Sequence, residues 1–163
     1  MEAKRIAVFP GSFDPFTKGH ANLIDRALPL FDRLVVGIGI NGGKRGLFPP
    51  EVRKAFIQEV YRDEPRVAVD IFASLTVDYC RKLNARFILR GLRSAIDWEY
   101  EKSIAVTNRC LDSGIETVFL AADPALECVS SSMVRDILKY RQDVSDFVPE
   151  AVAQKLREYQ LNY

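Results

Sequence analysis

The residues of this chain that could do chemistry are few, and their types suit phosphate. The sequence holds one histidine, His20, which closes the stretch FPGSFDPFTKGH where an apolar run gives way to a helical pattern. Gly11 and Pro15 shape a tight turn there, and Gly19 leaves room for a ligand to approach the backbone. Thr17 is of the right type and in the right place to cap the helix that His20 begins. A helix N-terminus offers unpaired N–H groups and partial positive charge, and an imidazole there adds a donor aimed at a phosphate oxygen. The competing reading of the same stretch is a solvated or capping histidine.

The other candidates are Lys44 in the glycine-rich NGGKRG, Arg90 and Arg93 in RGLR, and the run Ser130, Ser131 and Ser132. Lys44 reads either as a solvated surface lysine or as a mobile point charge for a phosphate. Arg90 ends an apolar run, where an unpaired guanidinium would be costly. It therefore reads as half of an ion pair with Asp or Glu, or as a bidentate phosphate clamp. Asp97 and Glu101, four apart in DWEYE, share a helix face, whereas Glu99 points elsewhere into solvent. The three serines are either a plain helix cap or an oxygen cradle of hydroxyls and free backbone N–H groups. Trp98 and Tyr100 read as packing or subunit contacts.

Elements must bring these residues together. Apolar runs at 5–9, 33–40, 66–72, 86–91 and 116–121 predict five strands buried on both faces. Helical patterns fall between and after them, at 19–31, 49–63, 75–83, 94–114, 130–141 and 149–160. Strand–helix alternation without repeats or linkers predicts one domain over 1–163: an α/β, doubly wound, five-stranded parallel sheet of Rossmann-like type with right-handed crossovers. In such sheets ligands sit outside the carboxyl ends of the strands. The loops after the first, second, fourth and fifth strands hold the candidate residues, so they should converge on one edge.

Composition narrows the classes. A formal net charge of +1 gives no global basic field for nucleic acid or a membrane surface. Three cysteines, Cys80, Cys110 and Cys128, with one histidine and no C-x-x-C pair, argue against structural zinc and for free thiols in a reducing compartment. With no signal-peptide pattern and no apolar run of membrane-spanning length, a cytoplasmic location is expected. GIGING (37–42) matches G-x-G-x-x-G formally, but its glycines begin inside a strand and two prolines follow where that fingerprint needs a helix. Lys44 is followed by Arg45, and the glycine spacing does not make a Walker A loop.

The stretch GSFDPFTKGH resembles the (H/T)-x-G-H signature of the nucleotidyltransferase α/β-phosphodiesterase superfamily, with Thr17 first and His20 last. Together with RGLRSAIDWEYE (90–101), SSSMVRDI (130–137) and FVPEAV (147–152), at these separations, most of the chain resembles the bacterial phosphopantetheine adenylyltransferases. Two departures stand out: Ser12 where many members carry Thr, which keeps the hydroxyl, and Thr76 where a Met often lies in the pantetheine pocket.

The resemblance implies adenylyl transfer from ATP to 4′-phosphopantetheine, giving dephospho-coenzyme A and pyrophosphate in coenzyme A biosynthesis. It implies His20 as transition-state donor, with Ser12 aligning the nucleophile and Lys44 and Arg93 neutralising charge. ATP would meet Ser12, Phe13, His20, Gly91, Leu92, Arg93, Glu101 (at the ribose), Val129, Ser130, Ser131 and Ser132. The acceptor would meet Ser12, Lys44, Thr76, Arg90 and Asn108. Magnesium (Mg2+) is expected on the ATP phosphates and water rather than in a protein cage. A homohexamer with coenzyme A as feedback ligand is likewise implied. The rivals are a transferase acting on nicotinamide mononucleotide or a cytidine nucleotide, and a coenzyme-binding regulatory module without activity. RGLR…EYE and the Thr in the first motif position speak against the former; the retained His20, Lys44, Arg90 and serines speak against the latter.

Overall fold

A computed structural model describes residues 4–40 and 46–161 of the chain. Lys44, in the loop after the second strand, lies outside the described residues. Five strands, β1 (Ile6–Gly11), β2 (Arg33–Gly39), β3 (Val67–Phe72), β4 (Phe87–Leu92) and β5 (Glu116–Ala121), form one parallel sheet in the order β3-β2-β1-β4-β5. Helices α1 (Lys18–Ala27), α2 (Pro50–Val60), α3 (Thr76–Lys82), α4 (Ala95–Leu111), α5 (Ser131–Lys139) and α6 (Glu150–Leu161) connect and flank the strands. From β1 the chain builds outward to β2 and β3, then returns to place β4 on the other side of β1. That reversal puts the topological switch point, where α/β sheets bind ligands, between β1 and β4.

Period-2 alternation explains both layers. Ala7, Phe9, Leu34, Val36, Ile38 and Leu89 point to one face and pack with Ile24, Phe56, Ile57, Val134 and Val152 from α1, α2, α5 and α6. Val8, Val35 and Ile88 point to the other face and meet Val77, Tyr79 and Cys80 of α3. Burial on both faces holds for the three inner strands. In β3 every residue is only half-buried, and β5 is half-buried with exposed ends, because these strands form the two edges of the sheet.

The long helix ends earlier than its pattern predicts, at Leu111 rather than Gly114. Asp112 leaves helical geometry to accept from the Gly114 N–H at 2.9 Å and from Arg81 Nε at 2.7 Å, a local alternative to the helical hydrogen-bond ladder. No helix among the described residues is long and apolar enough to cross a membrane.

Candidate active site

The turn after β1 is built by packing. Phe13 takes a left-handed backbone conformation, φ 47°, uncommon for a residue with a bulky side chain and characteristic of functional turns. Its ring tucks under Gly11, where an added Cβ would come within 2.9 Å of it, so glycine is required at that position. Asp14 is buried, and its carboxylate accepts from the Leu47 and Phe48 N–H groups at 2.7 and 2.9 Å. Arg53, buried in α2, donates to the Ser12 carbonyl at 2.6 Å and to the Phe48 carbonyl at 2.9 Å. The β1 turn is thereby fastened to the segment leading into α2.

Thr17 and His20 form a reciprocal cap on α1. The Thr17 hydroxyl accepts from the His20 backbone N–H, and His20 Nδ1 accepts from the Thr17 backbone N–H at 3.1 Å. A ring nitrogen that accepts from an amide carries no proton, so the proton of the neutral imidazole sits on Nε2. The ring is enclosed by Phe13, Phe16 and Phe9 at centroid distances of 5.0, 5.5 and 6.2 Å, with part of its surface still open to the cleft. Removal from water, reinforced by the positive charges of Arg93 and Arg90, lowers its pKa from the ordinary 6.5 to about 4. His20 is therefore a neutral Nε2–H donor at physiological pH. Capping and a chemical role, alternatives in the sequence, are here compatible: one nitrogen caps and the other is left to donate.

The cleft that His20 lines has a volume of about 340 Å³ and lies at the switch point. Ser12, Phe13, Gly91, Arg93, Glu101, Val129 and the three serines line it too. A second pocket of about 460 Å³, lined by Phe72, Thr76, Ile104 and Asn108, adjoins it. Pro10, Gly11, Arg90 and Glu101 belong to both walls, so the two pockets meet over this junction. Leu92, the last residue of β4, lines neither.

Arg90 and Glu101 are partners. Arg90 donates from Nε and Nη2 to the two carboxylate oxygens at 2.6 and 2.5 Å, and from Nη1 to the Pro10 carbonyl at 2.8 Å. Glu101 is the buried residue of α4, and its pairing with Arg90 is what accommodates a carboxylate there. Arg93 is held similarly by Asp97, which accepts from its backbone N–H at 3.0 Å and its Nε at 3.2 Å. Trp98 packs edge-on against Phe119.

The serines divide their work. Ser130 caps α5 by accepting from the Met133 N–H at 3.1 Å, and Ser131 donates to the Pro15 carbonyl at 2.8 Å. Ser132 accepts from Arg135 Nη2 at 3.0 Å. Arg135 lines the cleft as well, and it was not among the residues the motifs singled out. Its signal is spacing: three residues after Ser132, it lies on the same face of the serine-led helix. Among the described residues no group of three His, Cys, Asp or Glu side chains could hold a metal ion.

The switch point of the parallel sheet thus lies at a Thr-x-Gly-His cap, beside arginines and a serine-led helix. The chain matches the cytidylyltransferase-like family over residues 8–137. It is 52% identical over 151 residues to the phosphopantetheine adenylyltransferase of Flavobacterium psychrophilum, covering 93% of this chain and 99% of that protein. It is 47% identical over 148 residues to the protein of that name from Bacteroides thetaiotaomicron, covering 91% and 97%. Within the cytidylyltransferase-like family, the chain belongs to the phosphopantetheine adenylyltransferases. Its fold is shared with a crystal structure of a bifunctional NMN adenylyltransferase/ADP ribose pyrophosphatase from Francisella tularensis, with a TM-score of 0.70 at 18% identity. That match covers 90% of this chain and 45% of the bifunctional one, so the chain spans less than half of that enzyme's length.

Proposed function

We propose that the two adjoining pockets carry out the reaction for which the relatives are named: the adenylyl group of ATP passes to 4′-phosphopantetheine. The chain, read as one nucleotidyltransferase domain over 1–163, takes ATP in the cleft lined by His20 and the acceptor in the pocket lined by Thr76 and Asn108. An oxygen of the acceptor phosphate attacks the α-phosphorus, the bond from that phosphorus to the bridging oxygen breaks, and pyrophosphate leaves with the electron pair. Dephospho-coenzyme A is the other product. The observation that carries this reading is the junction itself, where Arg90 and Glu101 belong to both pockets.

The acceptor phosphate is already an ionised nucleophile, so no general base is required. The obstacles are repulsion between two anions and charge building on the α-phosphoryl oxygens, and they are met by positioning and preorganised donors. His20 Nε2–H donates to an α-phosphoryl oxygen. Its capped, enclosed ring does not reorganise during reaction. Ser12, its carbonyl held by Arg53, aligns the nucleophile. Arg90 and Lys44 offset the charge of the acceptor phosphate, while Gly91, Arg93 and Glu101, which line the cleft, serve the nucleoside side and Val129 with the serines serves the phosphates. Magnesium enters with ATP as part of the substrate. The carboxylates lining the cleft, Asp97 and Glu101, are already engaged by arginines, which supports a metal carried by phosphate and water.

The finer expectations stay with this reading. The enzyme works in the cytoplasm. Exposed apolar residues of α4, among them Ile96, Tyr100 and Val106, offer a packing surface for a hexamer. Coenzyme A, built from the same two halves as the product, is the feedback ligand of the two pockets.

The test is pyrophosphate release from ATP and magnesium with 4′-phosphopantetheine or nicotinamide mononucleotide as acceptor. Release with phosphopantetheine alone is expected. Release only with the mononucleotide would move the chain to the other substrate class. Binding of ATP or coenzyme A without release under either condition would make it a regulatory module.

A further inference from the structure

The α1 cap fixes one nitrogen of the His20 ring, and a ring held at one atom can still tilt. What limits the tilt is the packing of its faces. Phe16, fully buried, lies against the imidazole at a centroid distance of 5.5 Å and an interplanar angle of 28°. Phe16 in turn meets Tyr61 edge-to-face, at 6.2 Å and 82°. Phe9, Phe13, Phe16 and His20 all come from β1, the turn after it and the start of α1, whereas Tyr61 caps the C-terminus of α2. Among the described residues, Tyr61 is the one ring in contact with this cluster that another element supplies.

Tyr61 is itself held. Its hydroxyl donates to the Asp25 carboxylate at 3.0 Å and lies 3.3 Å from the Ala21 carbonyl, both on α1. Its backbone N–H donates to the Ile57 carbonyl at 3.1 Å and so closes α2. The ring is therefore fixed at both ends, by its main chain on α2 and by its oxygen on α1. Burial and the neighbouring Asp25 push the phenol above its ordinary value of 10, so the side chain is uncharged at neutral pH. Neither Phe16 nor Tyr61 lines the two pockets, so an effect of Tyr61 on the reaction has to pass through another residue.

We propose that Tyr61 is a positioning residue for His20: anchored on Asp25, it holds Phe16, and Phe16 sets the tilt of the imidazole and the aim of its Nε2–H. The hold on the ring follows from the packing, whereas its consequence for turnover rests on the adenylyl-transfer reading above. A preorganised donor works through its angle as well as its distance, and a hydrogen bond weakens steeply as it bends.

Two variants separate anchor from ring: Y61F keeps the ring and loses the hydroxyl, and Y61L loses both. Neither changes a charge. The charges around His20 also stay in place: Arg90 and Arg93 at the end of β4, Asp97 and Glu101 of α4, and Arg135 of α5. The imidazole resonances of the sole histidine then read the position and exposure of the ring itself. Both variants should move those resonances, Y61L further than Y61F. Y61L should also raise the titration midpoint by about half a unit or more, as water gains access. It should cut kcat about tenfold, with the dissociation constant for ATP within about twofold of wild type. Y61F, which keeps the contact with Phe16, should lose about threefold in kcat or less. Unmoved resonances in either variant would overturn the proposal and leave Tyr61 a plain brace, whatever happens to Tm. Moved resonances with full kcat would overturn its part in aiming the donor. Failure of the adenylyl-transfer reading would look different: the resonances move as expected, but wild type forms no pyrophosphate with phosphopantetheine.

Discussion

Arg90 and Glu101 face each other as a two-point pair, 2.5 and 2.6 Å between their atoms, at the place where the two pockets meet. The pair, together with the bond from Nη1 to the Pro10 carbonyl, leaves Arg90 one free N–H on each terminal nitrogen, aimed by a fixed fork. Glu101 is thus at once a wall of the cleft that His20 lines and the group that orients Arg90. Breaking the pair leaves a charge without its partner in a site that is mostly out of water.

E101A should therefore lower stability by about 2–4 kcal/mol, read as a fall in Tm, because an orphaned buried charge costs more than the pair is worth. The double variant R90M/E101L should regain much of that stability, since apolar replacements of buried pairs are often neutral. It should have negligible adenylyl transfer. A double variant that regains activity along with stability would show the pair to be purely structural.

The close approach of Leu23 to Gly91 sets a second expectation. A Cβ at position 91 would fall 2.3 Å from a methyl of Leu23, and both residues line the cleft. G91A should displace Leu23, cost about 1–3 kcal/mol by overpacking and raise KM for ATP. Adding L23A to G91A should restore much of the ATP affinity. If G91A binds ATP as wild type does, the leucine has room to yield and the cleft does not depend on this contact.

His20 can be titrated directly because it is the sole histidine, so one pair of imidazole proton resonances reports it. The enclosed ring should titrate at about 4 in the folded protein rather than at 6.5. The unfolded chain then binds more protons than the folded one between those values, so stability rises with pH across that window. The contribution is fully present above about 6.5 and is lost as pH falls through the folded pKa. A midpoint near 6.5 in the folded state would contradict the neutral-donor assignment.

Much of this was legible in the sequence, for identifiable reasons. The five strands follow from apolar runs dense in Val, Ile and Phe, and α1 follows from Thr17 and the spacing of Leu23, Ile24 and Ala27. Edge position is a property of strand order, which composition does not carry, so the half-burial of β3 and β5 was not readable. Arg90 left two readings open because a phosphate clamp and an ion pair need the same guanidinium at the same place. The pairing with Glu101 needs α4 to lie against β4, a tertiary fact. Arg135 was obscured by the serines before it, since SSS announces a helix start and draws notice away from the charge one turn further on. The anchoring of the β1 turn by Asp14 and Arg53 joins residues 33 to 41 positions away, beyond the reach of local spacing.

The most direct test of the central claim, that the lone histidine donates to the reacting phosphate, compares turnover and ATP affinity in H20A. Loss of one preorganised donor should reduce kcat by about 10²–10³-fold. The dissociation constant for ATP should change by less than about threefold, because the interaction develops only in the transition state. Equal losses in ATP binding and turnover would contradict the account and make His20 a ground-state ligand contact.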